Sequence, residues 1–274
     1  MKGTLYIVST PIGNLEDITL RALKILKEVD VIAAEDTRHS GKLLSYYSIS
    51  KPLISYWGEN ERVKSSEILD RLHSGQSVAL ISDAGTPGVS DPGAVLIRKS
   101  LEEGIDVISI PGATALIAAL SVSGLSTDEF TFIGFLPAKK SHRQKMLKEL
   151  SYEPRTLVFY EAPHRIVEAL SDMENILGQR KAAVIKEISK IHEEIIRGSI
   201  SDVFRGLEQS TIAGEYVIVV EGRPGEVRPT TDDALMEVNT LMKKGLGRKE
   251  AVKKVAEDYG MSKRELYEKS LGGK

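Results

Sequence analysis

Ser82-Asp83-Ala84-Gly85-Thr86-Pro87-Gly88-Val89-Ser90-Asp91-Pro92-Gly93 is the stretch most able to do chemistry. Its glycines let a backbone approach a ligand closely, its prolines stiffen the path, and Asp83 and Asp91 add charged acceptors. The apolar run Val78–Ile81 precedes it and predicts a buried parallel strand, so the loop sits at a strand's carboxyl end. Ligands of open α/β sheets bind there, against backbone N–H groups and helix starts. The plainer alternative is a rigid connection whose Asp91 caps a helix starting near Pro92. Two more Gly/Pro turns follow apolar runs: Ser9-Thr10-Pro11-Ile12-Gly13-Asn14 after Thr4–Val8, and Pro111-Gly112-Ala113-Thr114-Ala115 after Val107–Ile110. Glu35-Asp36-Thr37-Arg38 likewise ends the run Val29–Ala34.

Strands at 4–8, 29–34, 53–56, 78–81 and 107–110 must position these turns, alternating with helices through Leu20–Leu26, Glu59–His73, Val95–Glu102 and Leu116–Val122. Asn14 or Asp17 is the expected cap of the first helix. Such alternation predicts an α/β fold with a parallel sheet covered on both faces. From Phe130 onward the pattern changes: strands at 130–135, 156–160, 182–188, 193–198 and 216–221 lie closer together and predict a mixed sheet. The expected organisation is an N-terminal α/β domain over 1–114, a second α/β domain over 115–222, a Pro/Gly-rich linker over 223–230, and a small C-terminal helix-turn-helix-like domain over 231–274.

The chain has 274 residues and no cysteine, which excludes disulfides, thiolate metal sites and cysteine nucleophiles and fits a reducing cytoplasm. Its five scattered histidines give no metal-ligand pattern, and no apolar run approaches the ~20 residues of a membrane span. Met1-Lys2-Gly3-Thr4 leads straight into an apolar strand without the regions of a signal peptide, so a cytoplasmic location is expected. The formal net charge of −2 conceals an asymmetry. From Lys243 onward ten Lys or Arg stand against five acids, giving this tail +5 and the rest −7. A cationic end suggests a polyanionic partner, or only a solvated helical surface.

Thr10–Leu15, Ala34–Arg38, Ser82–Gly93, Pro111-Gly112-Ala113, Gly134-Phe135-Leu136-Pro137, Phe159-Tyr160-Glu161-Ala162-Pro163-His164-Arg165 and Gly214-Glu215-Tyr216-Val217 occur together in one order. In that order and spacing they resemble the small-subunit ribosomal RNA methyltransferase I family, a branch of the tetrapyrrole-methylase-like S-adenosylmethionine (SAM) enzymes. The resemblance spans essentially the whole chain. It implies 2′-O-methylation of a decoding-centre cytidine in 16S rRNA, SAM as donor, a homodimer, and SAM folded between two α/β domains of the tetrapyrrole methylase type. It places Pro11, Ile12, Gly13, Asp83, Ala84, Gly85, Thr86, Gly112, Thr114, Ala115, Tyr160 and Gly214 at the cofactor. Thr10–Asn14 departs from the Gly-x-Gly-x-Gly-Asp turn of the porphyrin-modifying members, which favours an RNA substrate.

Methyl transfer from a sulfonium is an in-line displacement in which positioning can supply ~7–11 kcal/mol. A ribose hydroxyl is a poor nucleophile, so a base or a neighbouring cation is expected. The candidates are Glu35, Asp36 and Arg38, and Lys186, Glu187 and Lys190; the competing roles are helix capping with a surface ion pair for the first group and a solvated strand edge for the second. Lys139, Lys140, Arg143, Lys145, Arg165, Lys249 and Lys253 are the expected contacts to 16S rRNA or the 30S subunit. Tyr56 and Trp57 could stack a base or simply pack. Two alternatives compete: a SAM methyltransferase of a tetrapyrrole or other small molecule, with a less basic pocket and no use for the tail, and a non-catalytic RNA-binding ribosome-assembly factor, which would not need three Gly/Pro loops at strand ends.

Overall fold

The computed structural model of the chain describes residues 2–58, 60–208, 211–223 and 230–271. The expected linker falls mostly on 224–229, outside the described residues. The chain forms two compact units: residues 2–122 with Ile185–Glu194, and the described residues of 123–184 with 195–271. Ile185–Glu194, read from sequence as part of the second domain, therefore groups with the first unit.

The first unit holds five strands, β1 (Thr4–Val8), β2 (Val31–Ala34), β3 (Leu53–Ser55), β4 (Val78–Ile81) and β5 (Asp106–Ile110), in the order β3-β2-β4-β1-β5. Every pairing is parallel. Side chains alternate across a strand, so Leu5, Ile7, Val78 and Leu80 enter one core while Val8, Ala79 and Ile81 enter the other. That two-sided burial is why β4 reads as an unbroken apolar run. Helices α1 (Leu20–Glu28) and α2 (Thr37–Tyr46) supply Ala22, Leu26 and Leu44 to one core. Helices α3 (Glu61–His73) and α4 (Ala94–Glu102) supply Ile68, Leu69, Leu72 and Leu96 to the other. Each fully buried leucine or isoleucine contributes roughly 1.5–3 kcal/mol. The helix α5 (Ala115–Ser123) follows β5.

Three local features differ from the sequence expectation. Thr19, not Asn14 or Asp17, caps α1 by accepting from the Ala22 N–H at 3.1 Å, while Asn14 caps a single 3-10 turn at Leu15–Asp17. Helix α2 is absent from the expected helices and enters the sequence reading only through the capping role open to Asp36, which the structure shows. Helix α4 begins behind Gly93, whose N–H donates to the Glu61 carboxylate of α3 at 2.6 Å, so Asp91 is not its cap.

In the second unit β6 (Phe130–Phe135), β7 (Thr156–Glu161), β8 (Lys181–Lys186), β9 (Glu194–Ser199) and β10 (Tyr216–Val220) form a sheet in the order β6-β7-β10-β8-β9. It is mixed: β6 and β7 run parallel, β7 and β10 antiparallel. Helices α6 (Lys140–Leu150), α7 (Ile166–Leu177) and α8 (Ile200–Glu208) pack on it. The C-terminal helices α9 (Thr231–Lys243), α10 (Arg248–Asp258) and α11 (Lys263–Ser270) enclose a small core of their own, including Ala234, Val238, Val252, Val255 and Leu266. So small a core is marginal alone. It is tied to the rest of its unit by the Tyr152 hydroxyl, which donates to the Asp258 carbonyl, and by the edge-on rings of Tyr152 and Tyr259.

Candidate active site

Because β4, β1 and β5 are neighbours and parallel, the three Gly/Pro turns meet at one edge of the first sheet. Thr10 and Gly85 exchange both backbone hydrogen bonds, Thr10 N–H to the Gly85 carbonyl at 2.8 Å and Gly85 N–H to the Thr10 carbonyl at 3.2 Å. The Thr10 hydroxyl donates to the Ser82 carbonyl, the Ser82 hydroxyl to the Ala84 carbonyl, and the hydroxyls of Ser9 and Thr86 lie 2.7 Å apart. Gly112 lies directly against Ser9, and the Ser9 N–H donates to the Ile110 carbonyl. Thr114 accepts the Ala118 N–H at the start of α5, whose first residue is Ala115. Gly85 sits at φ +77°, a left-handed conformation that side chains rarely adopt, and a Cβ there would face Ile12 at 3.5 Å and the Ala113 carbonyl at 3.9 Å. Pro11, Ile12, Gly13, Asp83, Ala84, Gly85, Thr86, Gly112, Thr114 and Ala115 thus lie on turns gathered at the carboxyl ends of β1, β4 and β5. The hydroxyls of Ser9, Thr10 and Ser82 were missed. Their signal was present: small hydroxyl residues at strand ends immediately before Gly/Pro turns.

The end of β2 joins this cradle through Asp83. The Asp83 N–H donates to the Glu35 carboxylate at 3.3 Å, and the Asp36 N–H donates to the Asp83 carboxylate at 3.1 Å. Asp36 caps α2, accepting from the Arg38 and His39 N–H groups, and its carboxylate also holds the Arg38 guanidinium at 3.0 Å. The Arg38 hydrogen bonds pull its pKa down to about 2. A carboxylate so held is a weak base near neutral pH, which leaves Asp36 to cap and orient. Glu35 is different: burial pushes its carboxyl above the ordinary value, only partly opposed by the Asp83 N–H.

The sign of that shift gives a test. Between the ordinary 4.5 and the raised folded value, the native state binds more protons than the unfolded chain, so Glu35 subtracts stability as pH rises through this window. Glu35→Gln keeps an acceptor for Asp83 and does not titrate. Its Tm relative to the wild type is expected to climb through the window and then level off. A Tm difference constant from about pH 4 to 8 would overturn the assignment.

The segment 187–193 meets the first turn. A Cβ on Gly13 would fall 2.4 Å from Lys190 Cγ, so the lysine's alkyl chain lies directly on the Gly13 backbone. The Lys190 ammonium is 2.8 Å from a Glu187 carboxylate oxygen, and Lys186 reaches Glu194 at 3.5 Å. Lys186 is buried rather than on a solvated strand edge. Glu187 and Ser189 occupy left-handed conformations, φ 52° and 65°. Each such residue costs of order 1–3 kcal/mol and persists only where its surroundings over-determine it.

The remaining candidates lie in the second unit, apart from Tyr56 and Trp57 of the first. Tyr160 packs edge-on against Phe132 and Phe135, and Gly214, at φ +81°, precedes β10. Lys139, Lys140, Lys145, Lys249 and Lys253 are exposed. Arg143 is corrected: it is only 1% exposed, ion-paired with Asp172 at 2.7 Å and Glu168 at 3.1 Å, and holds α6 to α7 instead of facing RNA. Arg165 is likewise turned to its own unit, pairing with buried Glu161 at 3.2 Å and donating to the Leu136 carbonyl. Tyr56 is fully buried, its hydroxyl 3.2 Å from that of Ser65, so it stacks nothing, whereas Trp57 is 42% exposed. Among the described residues no group of three or more His, Asp or Glu is placed to hold a metal ion, and no helix is long and apolar enough to cross a membrane.

Residues 4–203 match the sequence profile of the tetrapyrrole (corrin/porphyrin) methylases. The chain belongs to the tetrapyrrole methylase family. Among curated tetrapyrrole methylase relatives, "Ribosomal RNA small subunit methyltransferase I" of Synechocystis sp. is 47% identical over 98% of both chains. The protein of that name from Bacillus subtilis is 44% identical over 97% of this chain and 93% of its own. The fold agrees with a solved tetrapyrrole methylase, uroporphyrin-III C-methyltransferase from Thermus thermophilus complexed with S-adenyl homocysteine, at a TM-score of 0.57 over 80% of this chain and 97% of that one, with 21% identity.

Proposed function

We propose that the chain is a SAM-dependent methyltransferase that modifies the 2′-hydroxyl of a decoding-centre cytidine in 16S rRNA. The observation that carries this is near-full-length identity of 44–47% to curated small-subunit rRNA methyltransferases, which includes the C-terminal helices. The residues fit the donor: the backbone bridge between Thr10 and Gly85, bare of side chain at Gly85 and bounded by Ile12, is a cradle that a branched side chain would fill. SAM supplies an electrophilic methyl group and a thioether that leaves without a proton. The chain must therefore orient the hydroxyl, help remove its proton and exclude water.

In this reading Pro11, Ile12, Gly13, Asp83–Thr86, Gly112, Thr114 and Ala115 hold the donor. Lys190 and Lys186 favour the ionised hydroxyl, and Glu187 accepts its proton. The exposed lysines of α6 and α10 meet RNA phosphates. The protein works in the cytoplasm as a homodimer. A methyl-transfer assay with labelled SAM, offering naked 16S rRNA and assembled 30S subunits, is expected to place the label on a ribose of the subunit's decoding region. Label appearing only in a tetrapyrrole or other small molecule would overturn the proposal.

A further inference from the structure

We propose that the cavity at the carboxyl ends of β2 and β3 seats the target cytosine, presented by single-stranded RNA, with Trp57 as its stacking platform, Glu35 reading its polar edge, and Arg38, set in place by Asp36, meeting its phosphate. This rests on the function proposed above. The cavity measures about 380 Å³ and is lined by Glu35, Asp36, Thr37, Arg38, Ser55 and Trp57. That is the size range of small-molecule sites, and its lining is an exposed aromatic beside fixed polar groups.

Tyr56 and Trp57 are adjacent, just past the end of β3. Tyr56 takes the core and Trp57 the cavity. The loop carrying Trp57 is pinned by Asn60, whose side chain accepts the Trp57 N–H at 2.8 Å and donates to the Ser55 carbonyl at 3.3 Å, while its own N–H returns to the Trp57 carbonyl. A platform fixed in this way loses little freedom when a base stacks on it.

The polar side of the cavity is equally fixed. Arg38 is 89% exposed at its side chain yet held in place by Asp36, which leaves guanidinium donors for a phosphate. The Glu35 carboxylate, with one oxygen on the Asp83 N–H, presents the other as an acceptor, which matches the exocyclic amine of cytosine and opposes the carbonyl oxygen that uracil carries at the same place, while the Asp36 carboxylate is taken up by the α2 cap and Arg38. Hydrogen bonds through Asp83 join this cavity to the donor cradle, so a base held here has its ribose near the turns that would hold SAM.

Trp57 is the chain's single tryptophan, so its fluorescence reports on the cavity without turnover. Titration with short oligocytidylate is expected to quench it at several-fold lower concentration than oligouridylate. With 30S subunits, Trp57→Ala should lower kcat/KM roughly 5- to 100-fold, the range of one lost base–aromatic stack. Trp57→Phe should stay within a few-fold of wild type, and SAM affinity should be unchanged in both. Equal or absent quenching by the two oligonucleotides, or an unaltered kcat/KM in Trp57→Ala, overturns the base site. Failure of the wild-type protein to methylate the subunit would instead overturn the functional reading, so the two failures are told apart.

Discussion

A Gly85→Val protein is expected to fold and to bind SAM at least ~10²-fold more weakly than the wild type. Gly85 is bonded to Thr10 in both directions, so the peptide cannot rotate without losing the link between the β1 and β4 turns. At φ +77° a β-branched residue is strained by of order 1–3 kcal/mol, a cost to stability present with or without SAM. The affinity loss, ~2.7 kcal/mol for a factor of ~10², comes from sterics. A Cβ alone fits, 3.5 Å from Ile12, so Gly85→Ala should lose less affinity than Gly85→Val, whose methyl groups must enter the cradle or push the loop aside. Gly85 contributes to none of the apolar clusters, so melting by circular dichroism should remain cooperative. Isothermal titration decides it: a folded Gly85→Val protein with normal SAM affinity would remove the central loop from the donor site.

The cradle was legible because its determinants are local. Apolar runs of strand length, each followed by a Gly/Pro turn, announce parallel strands with functional carboxyl ends, and the strand order then brings separate turns together. Helix α2 was not legible. Gly41 and the weak formers Thr37, His39, Ser40 and Ser45 offset Arg38, Lys42, Leu43 and Leu44, and the helix is held by the Asp36 cap and by Leu43 and Leu44 packing beneath it. Arg143 was misread for a related reason. In Lys139–Lys145 it looks like one more surface cation, yet it shares a helix face with buried Leu147, four residues on, and its partner Asp172 comes from another helix. Removing it would strand a buried carboxylate, which is why such a position can be cationic without facing any ligand. The same limit applies to Asp36, whose carboxylate could be read equally as a cap or a base until its partners were seen.

Lys190 is legible in the sequence as a candidate cation, but its contact with Gly13 is not, because nothing local says that its side chain will rest there. The contact makes a sharp prediction. Lys190→Met is expected to lower kcat for methyl transfer by at least ~10²-fold, as loss of a group that assists proton removal should, while SAM affinity stays within a few-fold. Gly13→Ala should also be damaging, because its Cβ would fall 2.4 Å from Lys190 Cγ and the lysine must move. If the damage acts through Lys190, it should largely vanish once the lysine is truncated. In a double-mutant cycle, Gly13→Ala is therefore expected to cost much in the wild-type background and little in Lys190→Ala. The strained backbone at Glu187 and Ser189, braced by the Lys190 N–H on the Glu187 carbonyl and the Ser189 N–H on the Glu193 carboxylate, holds that lysine in place. Strictly additive losses, or near-normal kcat in Lys190→Met, would assign the turn to packing and return the search for the proton acceptor to Glu35, the carboxylate that burial already makes the better base.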